Sequence, residues 1–377
     1  MANSPLIGSK YQQVQSLLVQ RIQSGQIKRG QCIPSEPQLC EQLGVSRETV
    51  RRAVGNLVRD GMLETRPGYG HVVCSLQPRR TVAVLLNRDL FTPAPTPFIP
   101  LVLRAVREEL QRRGCRMLLH GPSAGAYSAL EGDYSRLERD IRRRAFAGLL
   151  GLAWPHSPDA EPEAAVVDQR VCEALTAKKI PYAMLSDYPL EASTGTDYHA
   201  IGYLGTRHFL EQGLNRVGLL IGQPSSGDLV WEEVLRGYKA ALTEARLAIR
   251  DDWVLRLPSE AALGEQSGYE AFRAWWRGTD QPQAMVVGDD TLAKGAMVAA
   301  VEAGVRIPEQ LQFASLAIKG GCTFFPRPFV RLEMDPAAYA RHVVDQLLMM
   351  LDSDDATPAG VRVRPRVVPA ESAHLHP

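Results

Sequence analysis

Gly44-Val45-Ser46-Arg47-Glu48-Thr49-Val50-Arg51-Arg52-Ala53-Val54-Gly55-Asn56-Leu57-Val58-Arg59 reads as one helix with two unlike faces. Ser46 is a good N-cap, and Val45 with Val50 are spaced as a hydrophobic staple, so the start is well marked. Val50, Ala53, Val54, Leu57 and Val58 recur at helical spacing and form a face to bury. Glu48, Arg51, Arg52, Gly55 and Arg59 fall on the opposite face, with Arg47 at its rim. A basic face of this kind suits a polyanion such as DNA, but an ordinary solvated surface helix has the same pattern. The flanking sequence decides between them.

Upstream, Tyr11, Val14, Leu17, Leu18 and Ile22 make a helical stripe that Ser24-Gly25 ends. Ser35 and Gln38 in Pro34-Ser35-Glu36-Pro37-Gln38 are spaced as a capping box for a short helix with Leu39 and Leu43 on its buried side. Two helices joined by Leu43-Gly44-Val45-Ser46 have the proportions of a helix-turn-helix. Downstream, Gly61 to Arg66 and His71 to Val73 read as two strands around Pro67-Gly68-Tyr69-Gly70, a wing.

Residues 5 to 74 resemble the winged helix-turn-helix of the GntR family of bacterial transcription regulators. Tyr11, Ser24-Gly25, Gly30, Pro34-Ser35-Glu36, Leu39, Leu43 to Arg47, Thr49 to Ala53, Leu57, Gly61 and Gly68-Tyr69-Gly70 carry the resemblance in order. It implies that Arg47 and Arg51 reach bases or phosphates in the major groove and that Ser35, Ser46 and Thr49 hold phosphates. Gly68 would let the wing tip approach the minor groove, and Glu36, Arg52 and Tyr69 complete the expected DNA-facing set. These residue types fit, because Arg can fork onto guanine and a helix N-terminus favours phosphate. Pro37 and Tyr69 depart from the basic or polar residues common at those family positions.

Charge is divided along the chain. Residues 1 to 80 hold 11 Lys and Arg against 5 Asp and Glu, and the remainder holds 32 against 37. A basic N-terminal part and an acidic larger part suit a polyanion partner for the first only. The six cysteines show no CxxC pairing and no metal-ligand spacing with histidine, which points to reduced thiols and a cytoplasmic setting. Neither an export signal nor a membrane span is expected, and no metal or cofactor.

After the polar linker 75–80, apolar runs alternate with amphipathic helices twice over, implying two lobes of doubly wound parallel sheet. The expected domains are a winged helix-turn-helix at 1–74 and a two-lobed α/β unit at 81–377. In that unit 81–190 plus 318–334 form lobe one and 197–316 plus 335–377 form lobe two. A ligand would lie between them at the carboxyl ends of the strands. This half resembles the effector-binding domain of the LacI/galactose-repressor family, which is similar to periplasmic sugar-binding proteins. Gly213 to Gly218, Arg236 to Leu242, Ala284 to Asp290 with Ala293 and Gly295, and Glu302 to Pro308 carry that resemblance.

The departures fall where the family grips its ligand. Val234 stands for an Arg, Ala317-Ile318 for an Asp pair, and Asp289-Asp290 for Asn-Asp. An ordinary sugar pocket is thus incomplete, since hydroxyls buried without partners cost about 1–3 kcal/mol each. Asn87, Asp89, Ser186, Asp187, His199, Trp231, Arg236 and Asp289 remain as the expected effector-binding set, with Asp289 as the main polar anchor and Trp231 able to stack on a ring. Asp290 is expected to cap the helix that follows. Arg142-Arg143-Arg144 ends a predicted helix, where cations favour the dipole, and reads as a solvated helix end.

The function the resemblance implies is a dimeric, DNA-binding transcription regulator of the repressor kind, whose operator affinity a sugar-like small molecule modulates. The alternative keeps DNA binding and treats the C-terminal half as a dimerisation scaffold without an effector. Neither a Walker loop nor an HExxH motif is present, and an enzyme is not expected.

Overall fold

The structure is a computed structural model that describes residues 10–75, 80–86, 97–121, 130–152, 162–187, 193–222, 229–258, 261, 263–277, 280–321, 325, 327–353 and 355–370. Its N-terminal unit packs α1 (Lys10–Gln23) and α2 (Glu36–Leu43) against α3 (Arg47–Arg59), followed by the hairpin β1 (Leu63–Arg66) and β2 (Gly70–Val73). The apolar stripe of α3 meets the stripes of the other two helices, so Leu18, Ile22, Leu39, Val50 and Leu57 are fully buried, with Met62 and Val73 closing the core from the hairpin side. Each such side chain contributes roughly 1.5–3 kcal/mol by leaving water, enough in sum to hold a small three-helix unit. Leu63 pairs with Val73 and Arg66 with Gly70 in the antiparallel wing.

The larger part contains β3 (Thr81–Leu86), α4 (Phe98–Arg112), β4 (Arg116–His120), α5 (Leu130–Arg143), β5 (Gly148–Leu152), α6 (Pro162–Ala177), β6 (Tyr182–Leu185) and β7 (Ser193–Thr196). Next come α7 (Tyr198–Glu211), β8 (Val217–Ile221), α8 (Leu229–Glu244), β9 (Val254–Arg256), α9 (Glu265–Trp275), β10 (Ala284–Val287), α10 (Asp290–Glu302) and β11 (Gln312–Ile318). The chain ends through β12 (Val330–Met334), α11 (Pro336–Asp352), β13 (Val361–Val363) and β14 (Arg366–Val368). One sheet runs β4-β3-β5-β6-β7-β13 and is parallel throughout; the other runs β9-β8-β10-β11-β12-β14, with β14 antiparallel to β12. The central strands are continuous apolar runs because helices cover both faces.

The division between lobes differs from the expected one. Val330 to Met334 pair in parallel with β11 and belong to lobe two, while α11 packs on α4, β5, β6 and β7 of lobe one and β13 extends that lobe's sheet. The chain therefore crosses between lobes three times: after β7, after β12, and between β13 and β14. The alternation of apolar residues marks a strand but not the sheet it will join, which is decided by the partner edge.

Strand β7 has the polar sequence Ser193-Thr194-Gly195-Thr196, yet it is buried. Gln346 of α11 makes this tolerable: it accepts from Thr194 Oγ1 at 2.9 Å and donates to the Ser193 and Ala359 carbonyls at 3.3 and 2.8 Å. Tyr339 donates to Thr196 Oγ1 at 3.2 Å. A buried polar strand needs such partners, because an unpaired buried group costs about 1–3 kcal/mol.

Candidate nucleic-acid interface and ligand cleft

Ser46 caps α3 as its position predicts, accepting from the Thr49 amide at 3.3 Å and sharing a 2.8 Å hydrogen bond with the Thr49 hydroxyl. The capping box of α2 forms through Gln38 Oε1, which accepts from the Ser35 amide and hydroxyl at 2.9 and 3.0 Å. Two helix starts thus present exposed Ser35 and Ser46, with half-buried Thr49, along one side of the unit. Arg47 is exposed beside them. Arg51 is 65% exposed and lies 3.7 Å from Glu36, a contact worth little in water and easily exchanged for a phosphate. Arg52 lays its guanidinium 4.1 Å from the Tyr11 ring centroid, tying α3 to α1.

The wing tip is built for projection. Gly68 and Gly70 take φ of 78° and 90°, backbone that other residues rarely adopt, and they turn Tyr69 outward until it is 78% exposed. Cys32 donates to the Tyr69 carbonyl at 3.2 Å and anchors the tip from the α1–α2 connection. The residues expected to face DNA therefore stand on the exposed side of α2, α3 and the wing, while the apolar stripe of each helix is spent on the core.

The strand ends of lobe two form the other site. Asp289 precedes α10, and its Oδ1 accepts from the Thr291 and Leu292 amides at 2.8 and 3.0 Å and from the Thr291 hydroxyl. The cap is thus Asp289, and Asp290, expected in that role, is instead the first helical residue. Asp290 is 4% exposed, with an Oδ2 that has no hydrogen-bond partner among the described residues. Burial, then the neighbouring Asp289 carboxylate, push its pKa up to about 6. Ser315 in the middle of β11 donates to the Asp289 carbonyl at 3.2 Å, tying that strand to the end of β10.

Trp231 is 6% exposed and lies across the carboxyl ends of β8 and β10. A Cβ at Gly222 would come within 2.6 Å of its indole and one at Gly288 within 2.9 Å, so both strands need glycine where the ring passes. Val234, Ala317 and Ile318, which replace charged family residues, are all buried. The other expected residues are dispersed. Ser186 is buried beside β7, and Asp187 accepts from the Thr196 amide at 3.1 Å and the Tyr198 hydroxyl at 2.9 Å, clasping the first crossing between lobes. His199 stacks on Tyr203 and abuts Gly237 through its carbonyl. Arg236 is 68% exposed and ion-paired with Glu233 on the outer face of α8, apart from Trp231. Asn87 and Asp89 lie outside the described residues.

Arg80 ends the polar linker 75–80. It ion-pairs with Asp60 at 3.6 Å, beyond α3, and with Asp352 at 2.5 Å, at the end of α11, so it joins the N-terminal unit to lobe one. No local signal announces a contact between residues so far apart in sequence. The five described cysteines are free thiols. Among the described residues, there is no group of three metal-ligating side chains and no helix long and apolar enough to cross a membrane.

Comparison with known proteins matches both parts. Residues 10–73 match the model for bacterial regulatory proteins of the gntR family, and residues 206–373 that for a periplasmic binding protein-like domain. The arabinose metabolism transcriptional repressor of Geobacillus stearothermophilus is 26% identical over 307 residues, 80% of this chain and 80% of that protein. The HTH-type transcriptional repressor PurR of Haemophilus influenzae (strain PittEE) is 23% identical over 269 residues, 71% of this chain and 74% of that one. The solved transcriptional regulator CelR–cellobiose complex shares the fold with a TM-score of 0.57 at 18% identity, covering 90% of this chain and 100% of the other. The chain thus joins a region that matches the gntR-family model to one that matches the model for a periplasmic binding protein-like domain.

Proposed function

We propose that the protein is a cytoplasmic, homodimeric, sequence-specific DNA-binding repressor whose operator affinity changes when a sugar or related small molecule binds between its lobes. The observation that carries this reading is the exposed set Arg47, Arg51 and Tyr69 on α3 and the wing, in one chain with two lobes joined by three crossings. One winged helix reaches too few bases to find a site in a genome, and a dimer reads two half-sites related by a two-fold axis. Closure of the lobes would change the spacing of the paired units. No catalytic step is assigned to the chain.

The polar anchor of the effector is Asp289. All three hydrogen bonds its carboxylate accepts from described residues fall on Oδ1, which leaves Oδ2 for a ligand hydroxyl. With Trp231 across the strand ends and Val234, Ala317 and Ile318 in place of charges, shape and stacking carry more of the affinity than charge-assisted hydrogen bonds. The ligand is accordingly less densely hydroxylated than a free hexose, or bound weakly. The same indole favours a second reading, in which the C-terminal half is a dimerisation scaffold with its strand ends filled. Thermal melting across a panel of mono- and disaccharides separates the two, since a ligand at 100 times its Kd adds about 2.7 kcal/mol. Stabilisation by one compound, abolished by Asp289→Ala, supports the effector reading; unchanged melting throughout supports the scaffold.

A further inference from the structure

The basic face of α3 looks across a gap at lobe one. A cavity of about 1130 Å3 is lined by Arg51, Arg52 and Arg59 of α3 and by Arg143, Arg144 and Lys179 at the ends of α5 and α6. Arg144 and Lys179 both follow their helices with φ of 51°, and the Arg144 guanidinium donates to the Lys178 carbonyl, which gathers these cations on one edge of the lobe. Two carboxylates also line the gap, and one of them, Glu36, lies 3.7 Å from Arg51. Six cations against two carboxylates leave a strong positive excess, contributed by both bodies. Like charges facing each other across a gap repel, yet Arg80 pins the same two bodies together through Asp60 and Asp352.

We propose that this gap binds a small polyanion carrying two or more phosphate groups, which bridges α3 to lobe one and holds the DNA-reading face away from DNA. The volume is close to that of small-molecule sites, roughly 300–1,000 Å3. Arginine forks and lysine ammonium groups converging from two sides give a phosphate charge-assisted hydrogen bonds, the stronger kind. The site is separate from the cleft between the lobes, so a polyphosphorylated compound and a sugar would act on the same protein from different places. The regulatory consequence rests on α3 being the DNA-reading helix; the binding itself does not.

The test uses the full chain, inorganic tripolyphosphate as probe, and DNA selected from a random pool, at constant ionic strength. Calorimetry should give binding of tripolyphosphate below about 100 μM, weakened at least tenfold in Arg143→Glu/Lys179→Glu. DNA affinity of the parent should fall at least tenfold at saturating tripolyphosphate, while the double variant, checked for parental circular dichroism, should bind DNA like the parent and resist the anion. The proposal is overturned if the parent does not bind tripolyphosphate at millimolar concentration, or if parent and variant respond alike. It also fails if the variant loses DNA affinity without the anion, which would make these cations contacts to the DNA backbone. Should Arg47→Ala leave DNA binding intact while the variant still loses the anion, the reading of α3 fails and the anion site stands.

Discussion

The basic face of α3 and the strand ends of lobe two hold their functional groups in opposite ways. On α3 the arginines stand in water, and the short side chains beside them are fixed by local hydrogen bonds such as Ser46 to Thr49. In lobe two the Trp231 indole and the Asp290 carboxylate are removed from water, and the indole lies against Gly222 and Gly288 at the ends of two strands. A face of the first kind works through charges whose attraction falls with salt. A face of the second kind would work through shape and desolvation, and its indole is also part of the hydrophobic core. The N-terminal unit can therefore change contacts at little cost to its fold, whereas lobe two cannot.

The largest effect expected from this contrast is on stability. Trp231→Ala should remove about 3–5 kcal/mol from the unfolding free energy, since it empties the space over Gly222 and Gly288. Denaturant unfolding followed at several wavelengths checks this; a loss under 1 kcal/mol would mean the strand ends are not built around the indole.

Asp290→Asn should act in the other direction, stabilising the protein by up to about 3 kcal/mol at pH 7, because the folded-state pKa of about 6 stands above the ordinary aspartate value of 3.8. The sign follows from the proton. Above about pH 6 the folded protein carries a buried charge at full cost; between 6 and 3.8 the folded form takes up a proton and the cost declines; below 3.8 both states are protonated and the variant has no advantage. Melting of parent and variant from pH 4 to 8 measures it. A difference that does not shrink on acidification would remove Asp290 from the account.

Arg47→Ala should leave folding intact and cost about 1–3 kcal/mol in operator binding, with relaxed preference at one position in each half-site. Fluorescence anisotropy against a selected sequence at fixed salt reads this directly. Equal affinities for parent and variant would break the contrast on the α3 side. The smallest effect is expected for Asp289→Ala, about 0.5–2 kcal/mol of stability from the lost helix cap. Its weight lies in combination: a stability loss without a change in ligand response would make Asp289 a cap alone.

The sequence by itself determined the N-terminal unit almost to the residue. Its signals are local: Ser46 caps within three residues, the stripes of α1 and α3 repeat every turn, and two positive-φ glycines bracket Tyr69. The two-lobed α/β class was equally legible, because buried parallel strands are unbroken apolar runs whatever they pair with. Beyond that, the tertiary structure decided. Ser193-Thr194-Gly195-Thr196 does not look like a buried strand until Gln346 satisfies it from 152 residues away. The lobe to which β12 and α11 belong depends on which sheet edge and helix face were available, not on their own pattern. Asp289 took the cap and left Asp290 buried because of how α10 meets the end of β10, a matter of one residue that spacing does not resolve. Trp231 over two distant glycines, and Arg80 between Asp60 and Asp352, are contacts that only the closed chain creates. Local hydrogen bonding and periodicity are written along the chain, whereas burial and long-range pairing exist only after it has folded.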